Sequence, residues 1–312
     1  MRPIRLIPRK TSIGFVRLQR LFIMVSLAAV LASGALFFTR GLNLGIDFLG
    51  GIMIEVQTPG PADLGRMRSV LNGLGFGEVV LQEFGEADRV LIRVALPPGD
   101  EKAKLAVVEG VKNALAGLGG GEIHYRRVET VGSKVSAELV QEGAIAVIGA
   151  VIAMLIYIWF RFEWQFSIGA VLALVHDMVI TIGMFALTGI EFNLASIAAI
   201  LTIVGYSIND TVVVYDRVRE NLRKYKKMAL GELLDLSINE TLARTTMTSL
   251  TTLMALFALY FFGGKVIAGF TAAMIWGIVV GTYSSIFVAA PLLLRLGLRR
   301  GGEDKAAEAA RP

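Results

Sequence analysis

The sequence predicts a membrane protein in which six transmembrane helices form an all-α bundle that carries one exterior α+β domain. Of its 312 residues, 54% are hydrophobic, and the mean hydropathy is +0.64. The apolar residues gather into runs long enough to cross a bilayer, which requires about 20 mostly apolar residues. After the first run the pattern changes to short alternating segments, which are typical of a folded domain.

The apolar runs predict six spans, at residues 21–39, 143–160, 167–188, 194–214, 246–262 and 267–294. The fifth run is short and begins in a polar segment. The first run has features of a signal peptide, but its apolar length and the lack of a clear small-x-small cleavage site indicate an uncleaved signal-anchor. Cleavage after the first span is the alternative.

Basic residues predict the orientation of these spans. They are concentrated in the leader (1–20), the loop 215–243 and the tail (295–312). On the opposite side, the loop 189–193 has no basic residue and the loop 263–266 has only Lys265. By the positive-inside rule both termini face the cytoplasm, which predicts a multi-pass protein of the cytoplasmic membrane. Topology, rather than a nucleic-acid partner, then explains the net charge of +5.

The exterior segment 40–142 is predicted to form a ferredoxin-like domain. Strands are expected at 52–58, 79–84, 89–96 and 122–131, and helices at 63–75 and 100–118. Asp63 and Asp100 are suited to cap the two helices, and glycines follow each of them. The resulting order, β-α-β-β-α-β, is the split βαβ arrangement.

Three flanking segments carry weaker patterns. Residues 133–141 are amphipathic, lead into the second span and are expected at the exterior interface. In the loop 215–243, the fourth span is expected to continue as a helix to about Lys227, followed by a short amphipathic helix at 230–238. The polar residues 301–312 are expected to be disordered.

Several kinds of chemistry are excluded by composition. The chain has no cysteine and only two histidines, so disulfides, thiolate metal sites and His-rich metal sites are not expected. Residues 45–51 (GIDFLGG) are glycine-rich but lack the lysine of a nucleotide-binding loop. No set of nucleophile, base and metal ligands is visible, so we expect neither an enzyme nor a cofactor. An ion gradient is the expected energy source.

Asp210 is the leading functional candidate. It lies in the fourth span, in a polar neighbourhood formed by Tyr206, Ser207 and Asn209. A carboxylate is costly to keep ionised in hydrocarbon, so charged residues within spans are functional candidates by default. Asp210 is therefore suited to bind and release a proton. The alternatives are a polar helix end or a structural hydrogen bond to a neighbouring helix.

Arg244 begins the fifth predicted span. The spacing of residues 244, 248, 251, 252 and 255 places Arg244, Thr248, Thr251, Thr252 and Ala255 on one helix face. That face is too polar for lipid and is expected to point into the bundle. Because arginine does not deprotonate in proteins, Arg244 is suited to hold a carboxylate ionised. The alternative is an anchor whose side chain reaches the lipid headgroups.

Asp177 and His176 lie near the middle of the third predicted span. Asp177 is a candidate for completing a polar path with Asp210, and a hydrogen bond to a backbone or threonine group across the bundle explains it equally well. For His176, a packed structural role is favoured over metal binding.

Several motifs resemble the SecD/SecF family of protein-export membrane proteins, and its SecF branch in particular. They are GIDFLGG (45–51), VHD (175–177), VGYSINDTVVVYDRVREN (204–221), TLARTTMTSLTTL (241–253) and FGG…GF (262–270). The resemblance covers nearly the whole chain. It implies that the six spans are half of a twelve-helix unit of the RND type, completed by SecD.

The resemblance also implies a role. SecD and SecF members act beside the SecYEG channel and use the proton-motive force to draw an unfolded polypeptide outward, after the ATPase SecA has acted. The residues matching Asp210 and Arg244 belong to the family's proton-responsive site, and a further essential aspartate lies on SecD. Asp177 and Asn209 complete the predicted coupling residues, with Thr248, Thr252, Ser207 and His176 as supporting polar groups.

Two other functions fit the same residues. An RND-type exporter of lipids or small molecules would use the same proton site, with an apolar substrate pocket. A passive scaffold would use the polar groups only for assembly. Besides SecD, SecYEG and the translocating polypeptide, the expected partners are membrane lipid and, indirectly, SecA; no nucleic acid is expected.

Overall fold

The computed structural model describes residues 11–77, 79–95, 101–118 and 121–298, which divide into two compact units. The helical unit contains the chain up to Leu42, Ala146–Ile190 and the chain from Ala195 onward. The α+β unit contains Asn43–Ile145 together with Glu191–Leu194. The expectations for residues 1–10, for Asp100 and for residues 301–312 lie outside the described residues.

In chain order the elements are α1 (Gln19–Arg40), α2 (Ile46–Leu49), β1 (Gly51–Gln57), α3 (Leu64–Asn72), β2 (Val79–Phe84), β3 (Glu86–Val94), α4 (Glu101–Ala116), β4 (His124–Val131), α5 (Ser133–Arg161), α6 (Trp164–Thr188), α7 (Leu194–Lys224), α8 (Leu230–Phe262), α9 (Ala268–Ser284) and α10 (Ala290–Arg295). A π-helical turn, Ser285–Ala289, joins the last two. Six of these segments are long and apolar enough to cross a membrane, which confirms the six predicted spans.

The helical unit has an interior and an outer layer. The apolar windows of α6, α7 and α9 are at least half buried, whereas those of α1, α5 and α8 are mostly exposed. Since exposed leucine, isoleucine and phenylalanine are favourable in lipid but costly in water, the outer layer fits a bilayer or a partner helix.

After α7 the structure has one continuous helix, α8, where the sequence predicts a short helix and then the fifth span. The expectation of a separate short helix at 230–238 is wrong, because α8 runs unbroken from Leu230 to Phe262 and also contains the predicted fifth span. Leu233, Leu234 and Ile238 are fully buried against the bundle. This packing stabilises the polar first half of α8, so the helix starts where its amphipathic face starts.

Tyr215 of α7 belongs to the hydrophobic core of the helical unit and contacts two other helical segments. Its side chain is fully buried, and its hydroxyl donates a hydrogen bond of 3.0 Å to the carbonyl of Ala289 in the π-helical turn. The ring of Phe166 packs edge-on against it, with centroids 5.1 Å apart. A π-helical turn changes the local hydrogen-bond pattern of a helix, and here a side chain from α7 uses one of its carbonyls.

The described end of the leader is docked onto α8. The amide of Val16 donates to Asp235 Oδ1 at 2.8 Å, and the amide of Ile13 donates to Asn239 Oδ1 at 3.0 Å. Asn239 returns a hydrogen bond from Nδ2 to the Ile13 carbonyl at 2.9 Å. Phe15 is buried between these anchors. The segment before α1 is therefore part of the helical unit.

The α+β unit is the predicted ferredoxin-like domain. Its sheet has the strand order β2-β3-β1-β4, with all neighbouring strands antiparallel. Alternate residues of the strands meet α3 and α4 in one core, in which Ile54, Ile92 and Leu71 are fully buried. Asp63 accepts a hydrogen bond from the Arg66 amide at 3.0 Å, which confirms the predicted helix cap.

Candidate functional site

Asp177 joins three helices. It lies on α6 and is 1% exposed. Its Oδ2 accepts hydrogen bonds from Ser207 Oγ of α7 at 2.5 Å and from Ser284 Oγ of α9 at 2.7 Å. Its Oδ1 lies 2.8 Å from Nδ1 of His176. We call these four residues the Asp177 cluster, in which a single carboxylate is hydrogen-bonded on both oxygens.

Close packing of α7 and α9 makes this cluster possible. Gly277 of α9 lies against the side chain of Ile203, and Gly281 lies against Ser207, where an added Cβ would be 3.1 Å from the serine Cβ. Small residues four apart allow two helix backbones to approach closely. Ser284 follows on the same helix and reaches Asp177.

Asp210 is buried and incompletely paired. It is 3% exposed on α7, three residues after Ser207. Ser249 and Arg244 of α8 lie close enough to its carboxylate to stabilise a negative charge there. Ser249 also lies 2.7 Å from Thr282 of α9, hydroxyl to hydroxyl. We call Asp210, Arg244, Ser249 and Thr282 the Asp210 cluster.

Three buried oxygens around the Asp210 cluster have no partner among the described residues. They are Asp210 Oδ2, the hydroxyl of Tyr206 and the hydroxyl of Thr245. Nearly all buried polar atoms in proteins are hydrogen-bonded, so such a group is unusual. A proton can bind Oδ2 without displacing an existing hydrogen bond. Asp177, by contrast, has both oxygens engaged.

The predicted inward direction of the Arg244 face is wrong. Arg244 and Thr251 are exposed, and Thr248 and Thr252 are half-buried. The hydroxyls of Thr248 and Thr252 donate to carbonyls of their own helix. In this chain a different polar stripe packs inward.

The inward stripe of α8 consists of small hydroxyl residues at four-residue spacing. Its members are Ser237, Thr241, Thr245 and Ser249, and all four are buried. The sequence does not single out Ser249, although its four-residue spacing from Thr245 can be seen there. Arg244 is the conspicuous residue of this segment because it is charged, whereas the stripe one residue further along the helix is neutral. Asn209, predicted as a coupling residue, lies exposed on α7 beside Asp210.

Two segments of the α+β unit, residues 43–48 and 191–194, pack together, and the second ends at Leu194, the first residue of α7. We call these two segments the outer clasp. Leu44 and Phe192 form an isolated parallel bridge. The backbone contacts are Gly45 N to Phe192 O at 2.8 Å and Phe192 N to Asn43 O at 2.7 Å. The clasp joins the GIDFLGG motif to the loop between α6 and α7.

Side chains complete the outer clasp. Asp47 Oδ2 accepts a hydrogen bond of 2.9 Å from the amide of Leu194, the first residue of α7. A carboxylate at this end of a helix satisfies a free N–H group and stabilises the helix dipole. The rings of Phe48 and Phe192 lie 5.7 Å apart. Asp47 thus acts as a helix cap supplied from a distant segment.

Arg93 of β3 extends the outer clasp through a partly buried ion pair with Glu191. Arg93 of β3 donates to the carbonyl of Leu44 at 2.5 Å, and its guanidinium lies 3.8 Å from Glu191. Burial raises the pKa of Glu191; Arg93 opposes that shift, and the neighbouring carboxylate of Asp47 adds to it. Gly45 leaves room for Glu191, since an added Cβ would lie 2.6 Å from Glu191 Oε1.

Glycine at the end of the GIDFLGG motif has a conformational reason. Gly51 has φ of 126°, which side chains rarely adopt, and it opens β1. An added Cβ would also lie 2.7 Å from the Val94 carbonyl of β3. The motif is therefore a structural element of the outer clasp and the first strand.

Metal binding finds no support in the part of the chain that the structure describes. Within it, no three histidine, aspartate or glutamate side chains come together as ligands. The chemistry available at the two clusters is proton binding and hydrogen bonding.

Comparison with family models gives two matches. The model described as "Protein export membrane protein SecD/SecF, C-terminal" matches residues 110–299. The model described as "SecD/SecF GG Motif" matches residues 35–58, which include the GIDFLGG motif.

Among curated proteins the chain is similar to several named "Protein translocase subunit SecF". That of Rickettsia akari (strain Hartford) is 44% identical over 298 residues, which are 96% of each chain. That of Rickettsia rickettsii (strain Sheila Smith) is 45% identical over 291 residues, covering 93% of this chain and 94% of its own.

Two solved structures are similar to the chain. The crystal structure of SecDF, a translocon-associated membrane protein from Thermus thermophilus, matches 95% of this chain with a TM-score of 0.83 at 35% identity. A SecDF structure in a "super-membrane-facing form" matches with a TM-score of 0.65 at 34% identity. The chain spans 40% and 41% of those two chains, respectively.

Proposed function

Because the chain belongs to the SecD/SecF family of protein-export membrane proteins, we propose that it uses the proton-motive force, together with a SecD partner, to promote late steps of polypeptide translocation. The family consists of transport proteins rather than enzymes, and the chain is a multi-pass membrane protein.

The observation that carries the proposal is the incompletely paired, buried carboxylate of Asp210. Ser249 and Arg244 lie near the carboxylate, and its Oδ2 has no hydrogen-bond partner among the described residues. Protonation neutralises the charge, and deprotonation restores the attraction to Arg244. Moving one elementary charge across the membrane potential is worth about 2.3 kcal/mol per 100 mV, which is enough to bias a two-state equilibrium.

The outward direction of Arg244 supports a partner subunit. A charged side chain facing lipid is costly, and Asn209 and Thr251 are exposed near it. We assign this surface to SecD, with which the chain would complete a twelve-helix unit. In that arrangement Arg244 can interact with Asp210 and with a carboxylate of the partner. Asn209 would line the same contact.

Asp177 and the outer clasp supply a path from the proton site to the α+β unit. Asp177 bonds Ser207, three residues before Asp210 on α7. A displacement of α7 would therefore change the Asp177 cluster. At the other end of the same helix, the clasp ties the Leu194 amide to Asp47. We propose that movement of α7 reaches the α+β unit through this tie.

The basic residues support an orientation with both termini in the cytoplasm and the α+β unit outside. In that orientation the α+β unit would meet the emerging polypeptide. The SecYEG channel is the proposed neighbour of the complex, and SecA is a proposed indirect partner.

The test is export of a reporter protein by membrane vesicles that contain this chain and its SecD partner, with and without a proton gradient. We expect the gradient to stimulate export with wild-type protein and to have no effect with Asp210→Asn. Asp216→Asn is the matched control, since it makes the same change on the same helix at a half-exposed position. An equal response of Asp210→Asn and wild type would refute the coupling role. Loss of small-molecule export alone would favour the exporter alternative.

A further inference from the structure

A cavity of about 410 Å³ lies between the end of α5 and the last two turns of α7. Its lining consists of six charged residues: Arg161, Asp216, Arg219, Glu220, Arg223 and Lys224. The five residues on α7 follow the spacing i, i+3, i+4, i+7 and i+8, so they form one helix face. Arg161, the last residue of α5, is the sixth lining residue.

The cavity has more positive charge than its own acids neutralise. Asp216 accepts two hydrogen bonds from Arg161, at 2.9 and 3.1 Å. Glu220 accepts a hydrogen bond of 2.6 Å from Arg217, which does not line the cavity. Both carboxylates are thus engaged, while Arg219, Arg223 and Lys224 are not paired with an acid in the described chain.

The wall of the cavity is held in place by the same residues. Arg219 donates a hydrogen bond of 3.3 Å to the carbonyl of Arg161, at the end of α5. Together with the ion pair between Arg161 and Asp216, this contact fixes the end of α5 against α7. The positive-inside rule explains the presence of basic residues here, but it does not require their arrangement around one cavity.

Exposed aromatic residues place the cavity at the membrane–water boundary. Tyr157, Trp159 and Phe160 occupy the last turn of α5 before Arg161, and Trp164 opens α6. All four are more than half exposed. Aromatic rings of this kind are enriched at headgroup depth. Arg161 is therefore expected at the depth of lipid phosphates.

We infer that this cavity binds the phosphate-bearing headgroup of an anionic phospholipid. Arginine forks match phosphate oxygens, and basic pockets between transmembrane helices are known to hold anionic headgroups. The volume lies within the range of ligand sites, about 300–1,000 Å³. A lipid, rather than free phosphate, fits the position beside the aromatic residues. This inference does not depend on the proposed export function.

The test is native mass spectrometry of the purified full-length chain in detergent, with phosphatidylglycerol or phosphatidylcholine added at equal concentration. We expect wild type to retain phosphatidylglycerol preferentially. Arg223→Gln/Lys224→Gln should lower the bound fraction about fivefold or more, because each basic residue near a lipid surface contributes about 1 kcal/mol. The control Lys226→Gln/Lys227→Gln removes the same charge from exposed neighbours outside the cavity and should retain the preference.

Two results would overturn the inference. Equal effects of the two double variants would mean that the attraction is to overall charge rather than to a site. Displacement of the lipid by inorganic phosphate or glycerol phosphate at comparable concentration would mean that the site takes a free anion. A second measurement uses wild type alone, so it does not depend on the folding of a variant. Photoactivatable phosphatidylglycerol should label peptides containing 157–164 and 215–224, and labelling spread evenly over the spans would contradict the site.

Discussion

Ser207 of α7 donates a hydrogen bond of 2.5 Å to Asp177 of α6, and Ser284 of α9 donates a second one to the same oxygen. Two buried hydroxyls from different helices thus share one acceptor, and Ser284 Oγ also lies 3.1 Å from the carbonyl of Gly281 in its own helix. Polar contacts of this kind hold transmembrane helices together where apolar burial provides no net drive.

Replacement of Asp177 should therefore destabilise the bundle. Asp177→Ala leaves the Ser207 hydroxyl without its acceptor and removes the contact of Ser284 with α6, and we expect the free energy of unfolding to fall by about 1–3 kcal/mol. Thermal unfolding in detergent measures this. Ser285→Ala serves as the control, because its buried hydroxyl donates only to a carbonyl one turn back. A change no larger than that of Ser285→Ala would contradict the joining role of Asp177.

Arg244 should matter for coupling and little for the stability of the isolated chain. Its side chain is exposed, so Arg244→Gln is expected to change the free energy of unfolding by less than about 0.5 kcal/mol. The same variant should abolish stimulation of export by a proton gradient in vesicles with SecD. Lys227→Gln makes an equal charge change at an exposed position and should leave the stimulation intact. A stimulated Arg244→Gln protein would remove Arg244 from the coupling site.

The outer clasp should stay closed during coupling. The chain has no cysteine, so Leu44→Cys/Phe192→Cys introduces a single possible disulfide across the bridge. We expect the oxidised protein to keep gradient-stimulated export, because the clasp transmits movement as a rigid connection. Asp47→Asn/Arg93→Gln, which weakens two of the contacts, should reduce the stimulation while the protein still inserts. If oxidation blocks export and reduction restores it, the clasp must open, and the rigid connection is refuted.

Glu191 should make stability fall as the pH rises. Its pKa is raised in the folded chain by burial, so the folded state binds its proton more tightly than the unfolded state. The sign follows: stability is greater below the unfolded pKa and is lost as the pH rises through the raised pKa. Asp47, Arg93, Arg127 and Glu129 are the charged groups that act on it.

The measurement compares unfolding temperatures from pH 4 to pH 8. Relative to Glu191→Gln, wild type should lose stability as the pH rises from the usual pKa of a glutamate through the raised pKa of Glu191. Glu122→Gln, at an exposed position, should follow wild type. A wild-type protein that gains stability relative to Glu191→Gln as the pH rises would show that attraction to Arg93 outweighs the cost of burial.

The fold could be predicted where one local pattern decides it. Apolar runs determine the six spans, and alternation with a capping Asp63 determines the α+β unit, because burial there follows periods of 3.6 and 2. The continuity of α8 between residue 238 and the fifth span could not be predicted. Its first half is polar, and only its packing on the bundle through Leu233 and Ile238 continues the helix.

Of the residues in the Asp177 and Asp210 clusters, the sequence points to the charged ones together with Ser207 and His176, but not to Ser249, Thr282 and Ser284. Asp210, Asp177 and Arg244 are conspicuous, because a charge in a span is costly. Ser249, Thr282 and Ser284 are ordinary residues in transmembrane helices, and only the packing of three helices brings them to a carboxylate. The sequence predicts that the Arg244 face points into the bundle, but Arg244 is exposed. A face that is too polar for lipid can also contact another chain. The outer clasp joins residues so distant that no local pattern contains it.

The outer clasp and the docked leader join residues that are far apart in the sequence, which has a consequence for biosynthesis. Asp47 and its partner Leu194 are 147 residues apart, and Ile13 and Asn239 are 226 apart. A ribosome adds about 5–20 residues per second, so Asp47 must wait roughly 7–30 s for α7. The four-strand sheet can pair in that interval, but residues 43–48 lack their contacts with residues 191–194 until the loop after α6 has emerged. We expect nascent chains truncated before Glu191 to be cleaved by protease within 43–50 much faster than full-length chains, and equal cleavage would show that this segment folds without its distant partner.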